Sequence, residues 1–178
     1  SRSCGTCGAF KPLGNPSIYD RLASSTRCVV PMRRATNELS ASSPMRTATS
    51  MTSLGANPPL IMFSIARGSS SWNAIEAAEF VAVHTLGERN LALAQRMSED
   101  HTKRFATDDW ERGPKNLPVF PGATAVMIAK IRDVLNVESN AVVVADVIDG
   151  ATGLEDEGLL YHQRGYAVPG RKLTEPKK

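Results

Sequence analysis

Five small hydroxyl side chains stand close together at Thr47, Thr49, Ser50, Thr52 and Ser53, and Met51, Gly55 and Ala56 complete the segment. Hydroxyls and free backbone N–H groups in such a run can bond the polar edge of a flat heteroaromatic ring or a phosphate. Small side chains let the backbone come close to the ring. A second group, Arg67-Gly68-Ser69-Ser70-Ser71-Trp72, sets serines where a helix is expected to start. Unpaired N–H groups and the helix dipole favour an anion there, and Arg67 adds charge-assisted bonds to phosphate. Each group also has a plainer reading. The first is a Ser/Thr-rich turn ending at Pro58-Pro59; the second is an ordinary serine N-cap with Trp72 in the core.

Other chemistries find little support. Cys4 and Cys7 form a lone C-x-x-C and Cys28 stands apart, while His84, His101 and His162 follow no ligand spacing, so no metal site is expected. Three thiols without a framework suit a reducing compartment. Neither G-x-G-x-x-G nor G-x-x-x-x-G-K-[ST] occurs, so a phosphorylated cofactor would be held in some other way.

The elements that must position these groups begin with Leu60–Ala66, an apolar run that reads as a buried strand. Ser69, Ser70 and Ser71 are candidate N-caps of a helix to about Glu79, with Trp72, Ile75 and Ala78 on one face. Phe80–Leu86 is the next strand. A second helix is expected from about Glu88 to Asp100, with Leu91, Ala94 and Met97 on one side. Ala123–Val134 alternates with period two: Ala125, Met127, Ala129 and Ile131 share one face, and Val126, Ile128, Lys130 and Arg132 the other. Asn140–Ile148 follows a polar turn at 136–139, so these two strands are expected to pair antiparallel. A last strand opens at Leu159-Leu160-Tyr161. The order argues for an α+β fold, a mostly antiparallel sheet with short flanking helices.

The 178 residues make a single-domain length, and 42% hydrophobic with 22% charged residues fits an ordinary folded domain. No run approaches the roughly 18–20 apolar residues of a membrane span. Ser1–Ala9 has no charged head followed by an apolar stretch, so a cytoplasmic protein is expected. Seven of the 21 basic residues but only two of the 18 acidic ones precede Ala48. These arginines are not interleaved with aromatic residues, so nucleic acid is not expected as a partner.

The blocks T-A-T-S-M-T-S-L-G-A-N-P-P-L-I-M-F-S-I-A and S-S-S-W-N-A-I, followed by F-A-T-D-D-W, L-P-V-F-P-G-A and G-L-L-Y-H, resemble in order and spacing the flavin reductase-like family of FMN-binding split barrels. The resemblance covers residues 47 to about 166. It leaves 1–46 as an atypical N-terminal region, disordered or translated out of frame, and 167–178 as a tail. It implies a split β-barrel homodimer that passes hydride from NADH or NADPH to FMN or FAD and feeds reduced flavin to a partner monooxygenase. By the match, Thr49, Ser50, Met51, Thr52, Ser53, Gly55 and Ala56 lie against the flavin. Ser70, Ser71 and Trp72 face its phosphate, bordered by Glu76 and Ala77. Thr102 and Lys103 also point to the phosphate, and Tyr161, His162, Gln163 and Arg164 lie near the nicotinamide. Many relatives carry Gly-Asp-His where this chain has Glu138-Ser139-Asn140. Asn140 can hydrogen-bond there but cannot hold a proton. His162 and Asn140 are thus the residues implied nearest the chemistry. The same resemblance leaves room for a flavin carrier without fast turnover.

Overall fold

The apolar run after Pro58-Pro59 forms a strand whose alternate residues, Ile61, Phe63 and Ile65, are buried. The computed structural model describes residues 51–99 and 101–170, with the backbone of Cys28–Arg34 and Met45–Ala48. In chain order the elements are β1 (Cys28–Arg34), β2 (Met45–Ala48), β3 (Met51–Ala56), β4 (Pro59–Ala66), α1 (Trp72–Glu76) and β5 (Ala78–Thr85). Then come α2 (Leu91–Ser98), β6 (Glu111–Arg112), β7 (Pro118–Val119), β8 (Ala125–Val137), β9 (Asn140–Thr152), β10 (Leu160–His162) and β11 (Gly165–Ala167).

Seven strands join in the order β2-β1-β5-β8-β9-β4-β3, and every pairing is antiparallel. The two outermost strands, β2 and β3, are separated in sequence only by residues 49–50. Ala48 and Met51 are therefore at most about 11 Å apart. The sheet must curl until its edges meet at that point, which makes it a split barrel. Helices are few and short, as the α+β reading expects.

The curl sorts the strand residues into two cores. Ile61, Phe63, Val81, Val83, Met127, Ala129, Val143 and Ala145 pack inside the barrel, and Trp72 and Ile75 of α1 close one end. Ala82, Val126 and Ile128 face outward beneath α2 and the segment around Phe120. The two faces expected for β8 thus meet different cores: Met127 and Ala129 inside, Val126 and Ile128 outside.

Several expectations are corrected. Within the N-terminal region 1–46, β1 and the start of β2 are strands, and β1 sits between β2 and β5. The hydroxyl segment is a strand and not a turn from Met51 onward, with burial alternating residue by residue. The first helix stops at Glu76, because Ala78 onward pairs with β1 and β8 and the ladder overrides the local helix preference. In α2 the buried face is Leu93, Ala94 and Met97; Leu91 is 37% exposed. A 3₁₀ turn, Glu88–Asn90, precedes α2, and Asn90 is anchored there through Gly87 N–H donating to its Oδ1 (2.9 Å) and its Nδ2 donating to the Gly122 carbonyl (2.9 Å). β8 runs to Val137, leaving only Glu138-Ser139 as the turn to β9.

Candidate functional site

The sequence-predicted residues fall into three groups. The first lies on β3. Met51 is half-buried and packs against the barrel interior, and Thr52 is exposed. With Met62, Phe63, Ser64 and Val142 they line an apolar cleft of about 130 Å³. The register explains it: Met51 pairs with Phe63 and Thr52 with Met62 on β4, while Val142 pairs with Ser64 from β9. Ser53 and Gly55 are half-buried and Ala56 is exposed, running to the far end of β3. Thr49 and Ser50 lie outside the described residues.

The second group gathers where β4 ends. Arg67, Ser70, Glu76 and Ala77 are exposed; Ser71 is fully buried and Trp72 is 7% exposed. Ser71 is the N-cap residue of α1, but its side chain makes no capping bond. With only five residues, α1 offers a far weaker dipole than the longer helix expected from the sequence. Composition does not separate Ser69 from Ser70 and Ser71, but the fold does. The Ser69 Oγ is buried and has no hydrogen-bond partner. A buried hydroxyl left unpaired costs free energy. Asn140 joins the group, because Ala66 pairs with Asn140 and the Arg67 N–H donates to the Ser139 carbonyl (2.8 Å).

The third group surrounds the end of α2. Thr102 and Lys103 are exposed in and beside a 3₁₀ turn, His101–Lys103. The F-A-T-D-D-W segment holds this turn in place. Phe105 and Trp110 meet edge to face at 5.2 Å, and buried Arg104 donates to the Glu99 carbonyl (3.1 Å). Asp109 takes both its oxygens to Arg96 Nη2 on α2 (2.8 and 2.6 Å) and accepts from Thr107 Oγ1 (2.6 Å).

Burial acts to raise the Asp109 pKa, but the hydrogen bonds from Thr107 and Arg96 and the Arg96 charge outweigh it and leave the group below its ordinary value. A lowered folded pKa stabilises above the unfolded value of about 3.9 and ceases to do so as pH falls through the folded one. Asp109→Asn should therefore reduce the urea midpoint at pH 6–7, and the gap from wild type should close below about pH 4. Asp109 is 46% exposed, so the gap should stay within about 1 kcal/mol. A gap that persists at pH 3 would contradict the assignment.

Tyr161, His162, Gln163 and Arg164 form the β10–β11 hairpin. All four are exposed, and the hairpin turns at Gln163 (φ 49) and Arg164 (φ 64). Positive φ at both central positions is the pattern of a type I′ turn, which favours Asn-Gly, so two long side chains are held there at a cost. Tyr161 meets Tyr166 edge to face at 5.2 Å, and the Tyr166 hydroxyl lies 3.1 Å from Ser98 Oγ, which ties the hairpin to α2. His162 and Asn140, implied nearest the chemistry, sit on different elements and no hydrogen bond joins them.

Comparison with known proteins gives this arrangement a context. The family model described as "Flavin reductase like domain" matches residues 18–169. The chain belongs to the flavin reductase-like family. The match reaches upstream of the hydroxyl segment and takes in both β1 and β2. The domain is 37% identical over 128 residues to an NADH:FMN oxidoreductase of Rhodococcus qingshengii, covering 69% of this chain and 67% of that protein. It is 29% identical over 124 residues to the 4-hydroxyphenylacetate 3-monooxygenase reductase component of Pseudomonas aeruginosa, covering 67% and 73%. Among solved structures, a flavin reductase domain protein from Arthrobacter sp. FB24 superposes with a TM-score of 0.77 at 34% identity, covering 90% of this chain and 96% of that one. No helix among the described residues of this flavin reductase-like domain is long and apolar enough to cross a membrane.

Proposed function

We propose that this protein is an NAD(P)H-dependent flavin reductase that supplies reduced FMN or FAD to a partner monooxygenase. The observation that carries the reading is the likeness to NADH:FMN oxidoreductase over 128 residues. The site geometry is compatible with it. The apolar cleft beside Met51 and Thr52 suits the edge of a flat ring, and the unpaired Ser69 hydroxyl suits a phosphate oxygen. When bound, the nicotinamide supplies a hydride and the flavin ring accepts it. The protein's share is orientation and exclusion of water. Met51 and Thr52 seat the ring. Ser69, with Ser70, donates to the phosphate, and Thr102 and Lys103 approach it from the end of α2. Trp72 holds this end of the barrel rigid. The β10–β11 hairpin, through Tyr161, His162, Gln163 and Arg164, receives the nicotinamide.

The 130 Å³ cleft falls below the roughly 300 Å³ at which cofactor pockets begin. A second copy completes the site in this reading. Leu135 and Val137, 52% and 53% exposed, share a face with Val142 beyond the part of β8 that β5 covers. They are the surface on which that copy would sit; a single-chain mass in sedimentation would remove the dimer. Three cysteines without a pairing framework favour the cytoplasm, which fractionation of cells producing the protein checks.

Asn140, in place of the histidine common among relatives, favours a second reading, a flavin carrier without fast turnover. The phosphate assignment has its own test. Ser69→Ala should raise the FMN dissociation constant about tenfold, the loss of one hydrogen bond to a charged group, and leave riboflavin, which lacks the phosphate, unchanged. Equal loss for both ligands, read by flavin fluorescence quenching, would remove Ser69 from the phosphate site.

A further inference from the structure

Arg67 is the first residue after β4, and its partners differ from those its sequence neighbourhood suggests. Its backbone N–H donates to the Ser139 carbonyl at 2.8 Å, and its Nη1 donates to the Glu138 carbonyl at 3.3 Å. Its guanidinium carbon lies 5.5 Å from the centre of the Trp72 ring. One side chain therefore touches two separate pieces of the fold: the turn between β8 and β9, and the indole that opens α1.

That turn needs support. Glu138 takes φ 52, the left-handed region that a residue with a Cβ enters only when its surroundings hold it there. The β8–β9 ladder closes at Val137↔Asn140, so it makes no direct pairing at Glu138 or Ser139. Both Glu138 and Ser139 carbonyls instead accept from Arg67. Asn140 begins β9 immediately after this turn. A guanidinium suits the task, because it can lay its flat face on an aromatic ring while an N–H at its edge donates in a fixed direction. A lysine ammonium cannot do both with fixed geometry.

We propose that Arg67 is a positioning residue. It braces the β8–β9 turn against Trp72 and so sets Asn140 relative to the Ser69–Trp72 segment. The brace stands on geometry alone. That Asn140, once placed, hydrogen-bonds the nicotinamide beside the β10–β11 hairpin rests on the reductase reading and on the resemblance that puts residue 140 nearest the chemistry.

The experiment compares full-length wild type with Arg67→Ala and Arg67→Lys by two readouts. Amide hydrogen exchange over 137–141 should quicken at least fivefold in Arg67→Ala, and Arg67→Lys should recover less than half of the lost protection. Unchanged exchange in Arg67→Ala overturns the brace. In steady-state kinetics, Arg67→Ala should raise the KM for NADH about tenfold while the FMN dissociation constant moves less than twofold. Adding Asn140→Ala to Arg67→Ala should then change little, because the two act as one unit. A raised FMN dissociation constant with unchanged KM for NADH overturns the proposal and makes Arg67 a phosphate ligand. If wild type neither binds FMN nor oxidises NADH, the reductase reading fails, and the exchange result alone decides the brace.

Discussion

Trp72→Ala lowers the melting temperature by roughly 6–20 °C. The estimate follows from burial. Trp72 is 93% covered, closes one end of the barrel interior with Ile75, and lies in the same core as Phe63, Val81 and Val143. Truncating a buried tryptophan to alanine typically costs about 3–5 kcal/mol, from lost transfer energy and the cavity left behind. A chain of this length loses about 2–4 °C per kcal/mol. Trp72→Phe keeps most of the volume and should recover more than half of the loss. The same change should weaken FMN binding at temperatures where the variant is folded, since the Ser69–Ser71 segment leads directly into Trp72. Thermal melts followed by circular dichroism give the first number. A loss below about 1 kcal/mol would mean that Trp72 does not plug the barrel.

Gly153→Ala is the second large effect, and its cause is different. A Cβ at Gly153 would overlap the Ala123 carbonyl oxygen. The neighbouring backbone cannot easily yield. Gly153 N–H donates to the Thr124 carbonyl (2.9 Å), and Thr124 N–H donates to the Thr85 carbonyl (3.0 Å). Thr124 and Thr85 are also joined through their hydroxyls at 2.8 Å, both buried. Overpacking against a fixed backbone costs about 1–3 kcal/mol. Gly170→Ala is the internal control, because nothing lies within 4 Å of a Cβ there. Equal urea midpoints for the two variants would contradict the packing described.

The strands that carry the barrel core could be read from the sequence because their burial follows period two. Ile61, Phe63 and Ile65 alternate with half-buried neighbours, and β8 separates into the two expected faces. β1 was illegible for a physical reason. Its residues Pro31, Arg33 and Arg34 argue against a strand with neighbours on both sides, yet β2 and β5 pair with it on either side and the ladder decides. The first helix reads longer in sequence than it is in the fold for the converse reason: Ala77, Ala78 and Glu79 are acceptable helix residues, but the sheet claims them from Ala78 onward.

At the site, the hydroxyl segment and the serine cluster stood out by composition. What composition could not reveal is who partners whom. Arg67 reads as an anion ligand from its neighbourhood, and nothing in the sequence pairs its guanidinium with the carbonyl of Glu138, 71 residues away. Ser69 looks like either neighbour until burial leaves its hydroxyl alone without a partner. The D-W pair of F-A-T-D-D-W could be recognised as a motif, but its work, an ion pair from Asp109 to Arg96 and a ring contact from Trp110 to Phe105, appears only in the folded chain.

The proposed function stands on one step, the reduction of flavin by nicotinamide. Anaerobic rapid mixing of the FMN-loaded protein with NADH tests it most directly, by following the visible absorption band of oxidised flavin. The reductase account predicts that the band bleaches within the ordinary enzymatic range of about 1–10³ s⁻¹. A protein that binds FMN and leaves the band intact would contradict the account and make the chain a carrier.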